Sequence, residues 1–307
     1  MGPGLDMSPL RDILPDLESF DATDDAEVAD RIRDAEFVFT NKIHLTDDLL
    51  QKATRLRFIG LTATGTDNID LASAGRYGVT VCNIRAYCTQ SVVEHVFGVL
   101  LMLTHSLGRY SSDVRAGKWQ RSQDFCMLGH PLRELSAMTL GIVGFGELGS
   151  NVARIARHFG MQVLVSVRPG SNKIADDRVS FDEMLDRSNV ISLHCQLNDQ
   201  TRNLFGADEF RRMKSDAILI NTARGALVDS VALADALRNG EIGAAAVDVL
   251  PQEPPVDGDP LLKYTGDNLI ITPHIAWATN ESRQGAIREI AANVDAFLRG
   301  EKRNRVV

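Results

Sequence analysis

The chain has 307 residues, 44% of them hydrophobic and 24% charged, an ordinary globular make-up with length for about two domains. A net charge of -8 and a pI near 5.4 set it against phosphate backbones and anionic lipid heads, so nucleic acid and membrane are poor partners. No apolar run approaches the ~20 residues that span a bilayer, and the first turns of chain carry acids and prolines rather than a signal-peptide core.

In chain order, segments 36–40, 57–61 and 79–83 read as strands, and 46–53 and 70–77 as helices. The apolar stretch 96–103, bracketed by His95 and His105, reads as a buried helix. His95 is expected to pack between domains. From residue 140 the rhythm becomes regular. Strands are expected at 140–143, 162–166, 190–194, 217–221, 242–249 and 269–272. Helices are expected at 147–159, after the Ser180/Glu183 capping box, at 207–213 and at 231–239, the last capped by Asp229 and ended by Gly240. A final helix covers 279–299, with Ile287, Ile290, Val294 and Phe297 at helical spacing. This alternation is α/β with parallel sheets. Two Rossmann/flavodoxin-like domains are expected. Residues 97–281 form a dinucleotide domain, 1–96 with 282–307 form the second, and the active site lies in the cleft between them. Cys82, Cys88, Cys126 and Cys195 show no paired spacing. They read as reduced thiols of a cytoplasmic protein, not as disulfides or metal ligands.

Gly144-Phe145-Gly146-Glu147-Leu148-Gly149 follows one strand and opens a helix. Gly144 allows the sharp turn, Gly146 lets the backbone approach a pyrophosphate, and Gly149 permits close packing of helix on strand. The free N–H groups of the helix then face the anion. A loop of this kind alone leaves a nucleoside-binding methyltransferase open. At the end of the next strand stand Val167 and Arg168, with no acid to accept from a ribose 2′-hydroxyl. Arg168 suits a 2′-phosphate, so NADPH is expected to be accepted alongside NADH.

Three strand ends carry polar groups: Arg224 after 217–221, Glu253 after 242–249 and His274 after 269–272. Ligands of open α/β sheets bind at that edge. Reducing a ketone puts charge on its oxygen, which histidine can neutralise by giving a proton. A carboxylate on the other ring nitrogen fixes the imidazole. An arginine fork holds a substrate carboxylate. Each residue alone also has an ordinary reading, as a packed histidine, a solvated acid or a capping arginine.

Ala63-Thr-Gly-Thr-Asp-Asn-Ile-Asp70, Val93-Glu-His95, the glycine loop, Ile191-Ser-Leu-His-Cys195, Asn221-Thr-Ala-Arg-Gly225, Asp248, Glu253-Pro-Pro255 and Thr272-Pro-His-Ile275 together resemble the D-isomer-specific 2-hydroxyacid dehydrogenase family over nearly the whole chain. The resemblance implies an NAD(P)-dependent oxidoreductase in which Arg224 binds substrate, Glu253 tunes the histidine and His274 is the acid/base. It implies cofactor contacts from Gly144, Gly146, Glu147, Leu148, Gly149, Cys195 and Ala223, and from Asp248 to the nicotinamide amide. Thr64 and Gly65 would offer amides to the substrate carboxylate, and His194 would wall the cofactor cleft.

Thr40-Asn-Lys42, Cys82-Asn-Ile-Arg-Ala-Tyr-Cys88, Asp124-Phe-Cys126 and His274-Ile-Ala-Trp277 are most similar to the glycerate dehydrogenase (hydroxypyruvate reductase) branch, with Lys42 and Trp277 shaping a small polar pocket. Other 2-keto acids (glyoxylate, phosphoglycerate, branched ones) and a dinucleotide-sensing corepressor stay open. The family implies a homodimer, with its contact near 100–119. Relatives begin with a strand before a segment like 5–14; here the chain starts at Met1-Gly-Pro-Gly4, so that strand is expected to be missing.

Overall fold

The computed structural model describes residues 2, 4–168 and 177–307. Of the opening Met1-Gly-Pro-Gly4, residues 1 and 3 lie outside the described set, and Ser8–Arg11 is a short helix. The chain divides into two compact units, Met1–Cys88 with Trp277–Val307, and Thr89–Ala276. The divisions fall a few residues before the expected 96/97 and 281/282. The apolar stretch 96–103 belongs to one uninterrupted helix, Thr89–Thr104, that stays with the second unit.

The first unit holds a parallel sheet of three strands in the order β1 (Phe37–Thr40), β2 (Phe58–Leu61), β3 (Thr80–Cys82). Strand β2 is central and buried throughout. Its period of two sorts its side chains between two cores. Ile59 and Leu61 join Val28, Leu50 and Val81 on one face. Phe58 joins Leu10, Ile290 and Val294 on the other. Gly60 shares the face of Phe58, where the Phe39 ring sits so close that a Cβ on Gly60 would lie 2.6 Å from it. The helices Asp25–Ile32 and Asn280–Leu298 seal the two faces. The second matches the 279–299 expectation, with Thr279 capping it through Ser282 N. The first is absent from the sequence reading, although Asp24 and Glu27 form a capping box.

The second unit is a six-stranded, wholly parallel sheet in the order β5-β4-β6-β7-β8-β9. These strands are β4 (Thr139–Val143), β5 (Gln162–Val165), β6 (Val190–Leu193), β7 (Ile218–Asn221), β8 (Ala244–Val247) and β9 (Leu269–Ile271). Strands β6, β7 and β8 are buried along their length, which is why they read as largely apolar runs. Ser180 and Asp229 cap their helices as expected, and Gly240 ends the second in the left-handed region. Chain order reverses direction across β4: β5 lies on one side and β6 to β9 on the other. That switch opens a crevice beyond the carboxyl ends of the strands.

No single described helix is long and apolar enough to cross a membrane. Thr89–Thr104 and Leu107–Arg115 reach that length only together and are bent by 57°.

Candidate active site

The switch in strand order falls at β4, and the glycine loop leaves it there. Gly144 has φ +92°, and a Cβ on it would lie 2.5 Å from the backbone nitrogen of Cys195. A Cβ on Gly149 would meet the Gly144 carbonyl oxygen at 2.0 Å, so the helix Glu147–His158 rests on the turn itself. Gly146 differs: nothing stands within 4 Å of where its Cβ would be. It is the N-cap of that helix and offers no side-chain cap to the first N–H groups. An open space facing bare helix donors fits a dinucleotide pyrophosphate. Glu147, exposed, accepts from the Thr89 hydroxyl. Leu148 and Cys195 are half-buried beside the loop, and Arg168 is exposed past the end of β5.

His194 leaves β6 next to that turn. Its Nε2 is 2.9 Å from Ser192 Oγ, while Nδ1 is sealed from solvent without a partner among the described residues. Although the ring as a whole is half-buried, that enclosure pushes the imidazole down to about 4.

The loops after β7, β8 and β9 are neighbours because those strands are adjacent. Asn221, buried at the end of β7, folds the first of them. Its Oδ1 accepts from Ala223 N at 3.0 Å and its Nδ2 donates to Arg224 O at 2.9 Å. Arg224, half-buried, donates from Nη1 to Ala223 O at 2.8 Å. Gly225 lets the next loop run across it: a Cβ there would sit 2.0 Å from the carbonyl carbon of Leu250. The loop after β8 then turns on Glu253, whose Oε1 accepts from Leu250 N at 3.0 Å. The other oxygen, Oε2, is 2.6 Å from Nδ1 of His274. Both side chains are about a quarter exposed, at 25% for His274 and 27% for Glu253. His274 Nε2 makes no hydrogen bond among the described residues, which leaves it for a substrate oxygen.

His274 stands at φ +56°. Asp248 sets that turn. Its carbonyl accepts from His274 N at 2.7 Å. Its carboxylate, on a residue only 2% exposed, takes the Thr272 hydroxyl at 2.5 Å, Ile275 N at 2.9 Å and Ala276 N at 2.8 Å. The resemblance gave Asp248 to the nicotinamide amide; in the structure three of its hydrogen bonds hold the His274 loop. His95 Nε2 lies 3.3 Å from Thr272 Oγ1, a contact within the second unit. The sequence pattern assigns Asn221 and Thr272 no role, although an Asn at a strand end is itself a turn signal. No group of three or more metal-ligating side chains occurs among the described residues, and the four cysteines are free thiols.

Residues 97–276 match the family described as D-isomer specific 2-hydroxyacid dehydrogenase, NAD binding domain. The chain is 42% identical to a glycerate dehydrogenase of Methylorubrum extorquens, over 91% of this chain and 88% of that one. The chain belongs to the D-isomer-specific 2-hydroxyacid dehydrogenase family. It is also 37% identical to a hydroxypyruvate reductase of Blautia hydrogenotrophica, over 92% of this chain and 88% of that one. Among solved structures it resembles a D-lactate dehydrogenase of Aquifex aeolicus complexed with NAD and lactic acid, with TM-score 0.79 and 32% identity over 95% and 92% of the two chains. As a 2-hydroxyacid dehydrogenase the protein is an NAD(P)-dependent oxidoreductase acting on a CH–OH group, and the second unit is its dinucleotide-binding domain.

The substrate residues expected outside that domain lie in the first unit. Lys42 is exposed after β1. Thr64 donates its hydroxyl to Ile84 O at 2.9 Å and accepts at its carbonyl from Asn83 Nδ2 at 2.8 Å, which braces Thr64-Gly65 against the segment after β3. Trp277 packs edge-on to Tyr87, ring centroids 6.4 Å apart.

Proposed function

We propose that the protein reduces hydroxypyruvate to D-glycerate with NAD(P)H, and glyoxylate by the same chemistry. The observation that carries this reading is the 2.6 Å pair of Glu253 and His274, set on the two loops that follow the one bearing Arg224 along the sheet edge. Two relatives of 37% identity or more, over most of the chain, carry glycerate dehydrogenase and hydroxypyruvate reductase as their names. The dinucleotide-sensing alternative is not favoured, because those relatives are enzymes by name and the acid–base pair is intact here.

When bound, NAD(P)H supplies the hydride. The chain does the rest. Arg224 holds the substrate carboxylate with its fork and polarises the keto oxygen. Glu253 fixes the His274 ring through Nδ1, and Nε2 gives the proton to that oxygen as it gains charge. Gly144, Gly146, Glu147, Leu148, Gly149, Cys195 and Ala223 would hold the dinucleotide, and Arg168 would pair with a 2′-phosphate, so NADPH is accepted. Lys42, Thr64, Gly65 and Trp277 would favour a small polar side chain. A homodimer is supported by the helix Leu107–Arg115, which buries no residue, and by exposed Trp119, Phe125 and Leu128. Four free thiols support a reducing, cytoplasmic setting.

Following absorbance at 340 nm with a panel of 2-keto acids and both cofactors tests the reading. The highest kcat/KM should fall to hydroxypyruvate. A clear preference for a branched or phosphorylated acid would reassign the substrate, and no turnover with any acid would remove the enzyme reading.

A further inference from the structure

The guanidinium of Arg178 lies over the ring of Phe145, 4.6 Å from its centroid. Phe145 stands between the first two glycines of the loop that receives the dinucleotide. The Arg178 side chain is only 25% exposed, which is low for an arginine. Its place follows from the backbone. Just past β5, Ser166 forms a single parallel bridge with Val179. Val167 N donates to Val179 O at 2.9 Å, and Val179 N donates to Val165 O at 3.0 Å. Arg178 is therefore pinned beside the carboxyl end of β5, the same strand end that delivers Arg168. Its Nε donates to Asp177 Oδ1 at 3.3 Å, a carboxylate that is 74% exposed. The two Nη groups make no hydrogen bond among the described residues. Ser166 Oγ, buried at the bridge, also has no partner among the described residues.

Resting on the NAD(P)H reading above, we propose that Arg178, held over the Phe145 ring, is a second cofactor-specificity residue that binds the 2′-phosphate of NADP(H) together with Arg168. A guanidinium stacks on an aromatic face while its edge stays free to donate, and that edge matches the oxygens of a phosphate. The stack fixes the side chain before the ligand arrives, so little rotamer freedom is lost on binding. Two arginines on a doubly charged phosphate give charge-assisted hydrogen bonds from both sides. Arg168 is exposed at the strand end and makes no ring contact among the described residues.

The test uses the full chain and two fragments of cofactor, 2′,5′-ADP and 5′-AMP, titrated by calorimetry, with NADPH and NADH binding followed by fluorescence. Arg178→Leu should weaken 2′,5′-ADP and NADPH roughly tenfold to a hundredfold and leave 5′-AMP and NADH unchanged. Phe145→Leu should weaken the same pair by less, and Arg178→Lys should recover only part of the loss. Unchanged 2′,5′-ADP binding in Arg178→Leu, with a loss in Arg168→Leu, overturns the role of Arg178 and leaves NADPH acceptance standing. Equal losses of 2′,5′-ADP and 5′-AMP assign Arg178 to general shape and overturn the proposal. A wild-type protein that binds 2′,5′-ADP no better than 5′-AMP overturns both readings.

Discussion

Gly225 and Leu250 come so near one another that a Cβ on the glycine would sit 2.0 Å from the Leu250 carbonyl carbon. This approach brings the loop that ends on Arg224 against the loop that carries Glu253. Gly225→Ala forces them apart. Overpacking of this kind costs about 1–3 kcal/mol, and the Glu253–His274 pair should move with the displaced loop. Thermal melting should show a lower Tm, and kcat/KM should fall further than the stability loss alone explains. A variant with wild-type kcat/KM would separate the two loops functionally.

The acid–base pair makes the most direct prediction. His274→Ala should lower kcat roughly 10²–10⁴-fold while NAD(P)H binding persists, because general acid catalysis contributes on that scale. Glu253→Gln keeps the shape and loses the charge, and its kcat should fall at least about tenfold. Steady-state kinetics with cofactor titration by fluorescence checks both.

Asp248→Asn probes the loop rather than the chemistry. The carboxylate accepts from a hydroxyl and two backbone amides, and an amide side chain turns an NH₂ toward one of those donors. Leaving such a buried donor unpaired costs about 1–3 kcal/mol. The expected result is a lowered Tm together with lowered kcat. Wild-type stability would mean that the loop holds itself.

The glycine loop gives a contrast between two positions three residues apart. Gly149→Ala meets the Gly144 carbonyl and should lower Tm whether or not cofactor is present. Gly146→Ala meets nothing among the described residues, so Tm of the free chain should hold while cofactor affinity falls roughly tenfold, as expected where a methyl group crowds a ligand by about 1–3 kcal/mol. Differential scanning fluorimetry with and without NAD(P)H distinguishes the two.

His194 makes stability depend on acid. Burial lowers it from the ordinary 6.5 to about 4, so between those values the unfolded chain takes up a proton that the fold refuses. Stability from this group is complete above pH 6.5 and is lost as pH falls toward 4. Tm should therefore drop over that window more steeply in the wild type than in His194→Gln. Parallel slopes would mean that the folded imidazole titrates normally.

Much of the second unit is legible because buried parallel strands write themselves as short apolar runs separated by capped helices, and each expected strand there appears within a residue or two of its place. The acid–base pair is legible for a different reason: a sheet of this kind delivers its loops to one edge, so polar residues just past strand ends are candidates by position. What stays hidden is support by residues whose chemistry is unremarkable in one dimension. Asn221 and Thr272 act through hydrogen bonds to neighbours that only folding provides. The hydrogen bonds of Asp248 to Thr272, Ile275 and Ala276 are likewise made only by the fold. The helix Asp25–Ile32 escapes because its apolar positions are few, leaving only Asp24 and Glu27 to announce it.

The left-handed backbone at His274 narrows what that position can hold. Among residues other than glycine, asparagine, aspartate and histidine tolerate such dihedrals best, and bulky or β-branched ones resist them. Randomising this codon should thus return well-folded protein for a handful of residues, among which histidine alone carries an imidazole. Shape and reactivity converge on the same amino acid there, and asparagine is the substitute that removes the proton donor while sparing the turn.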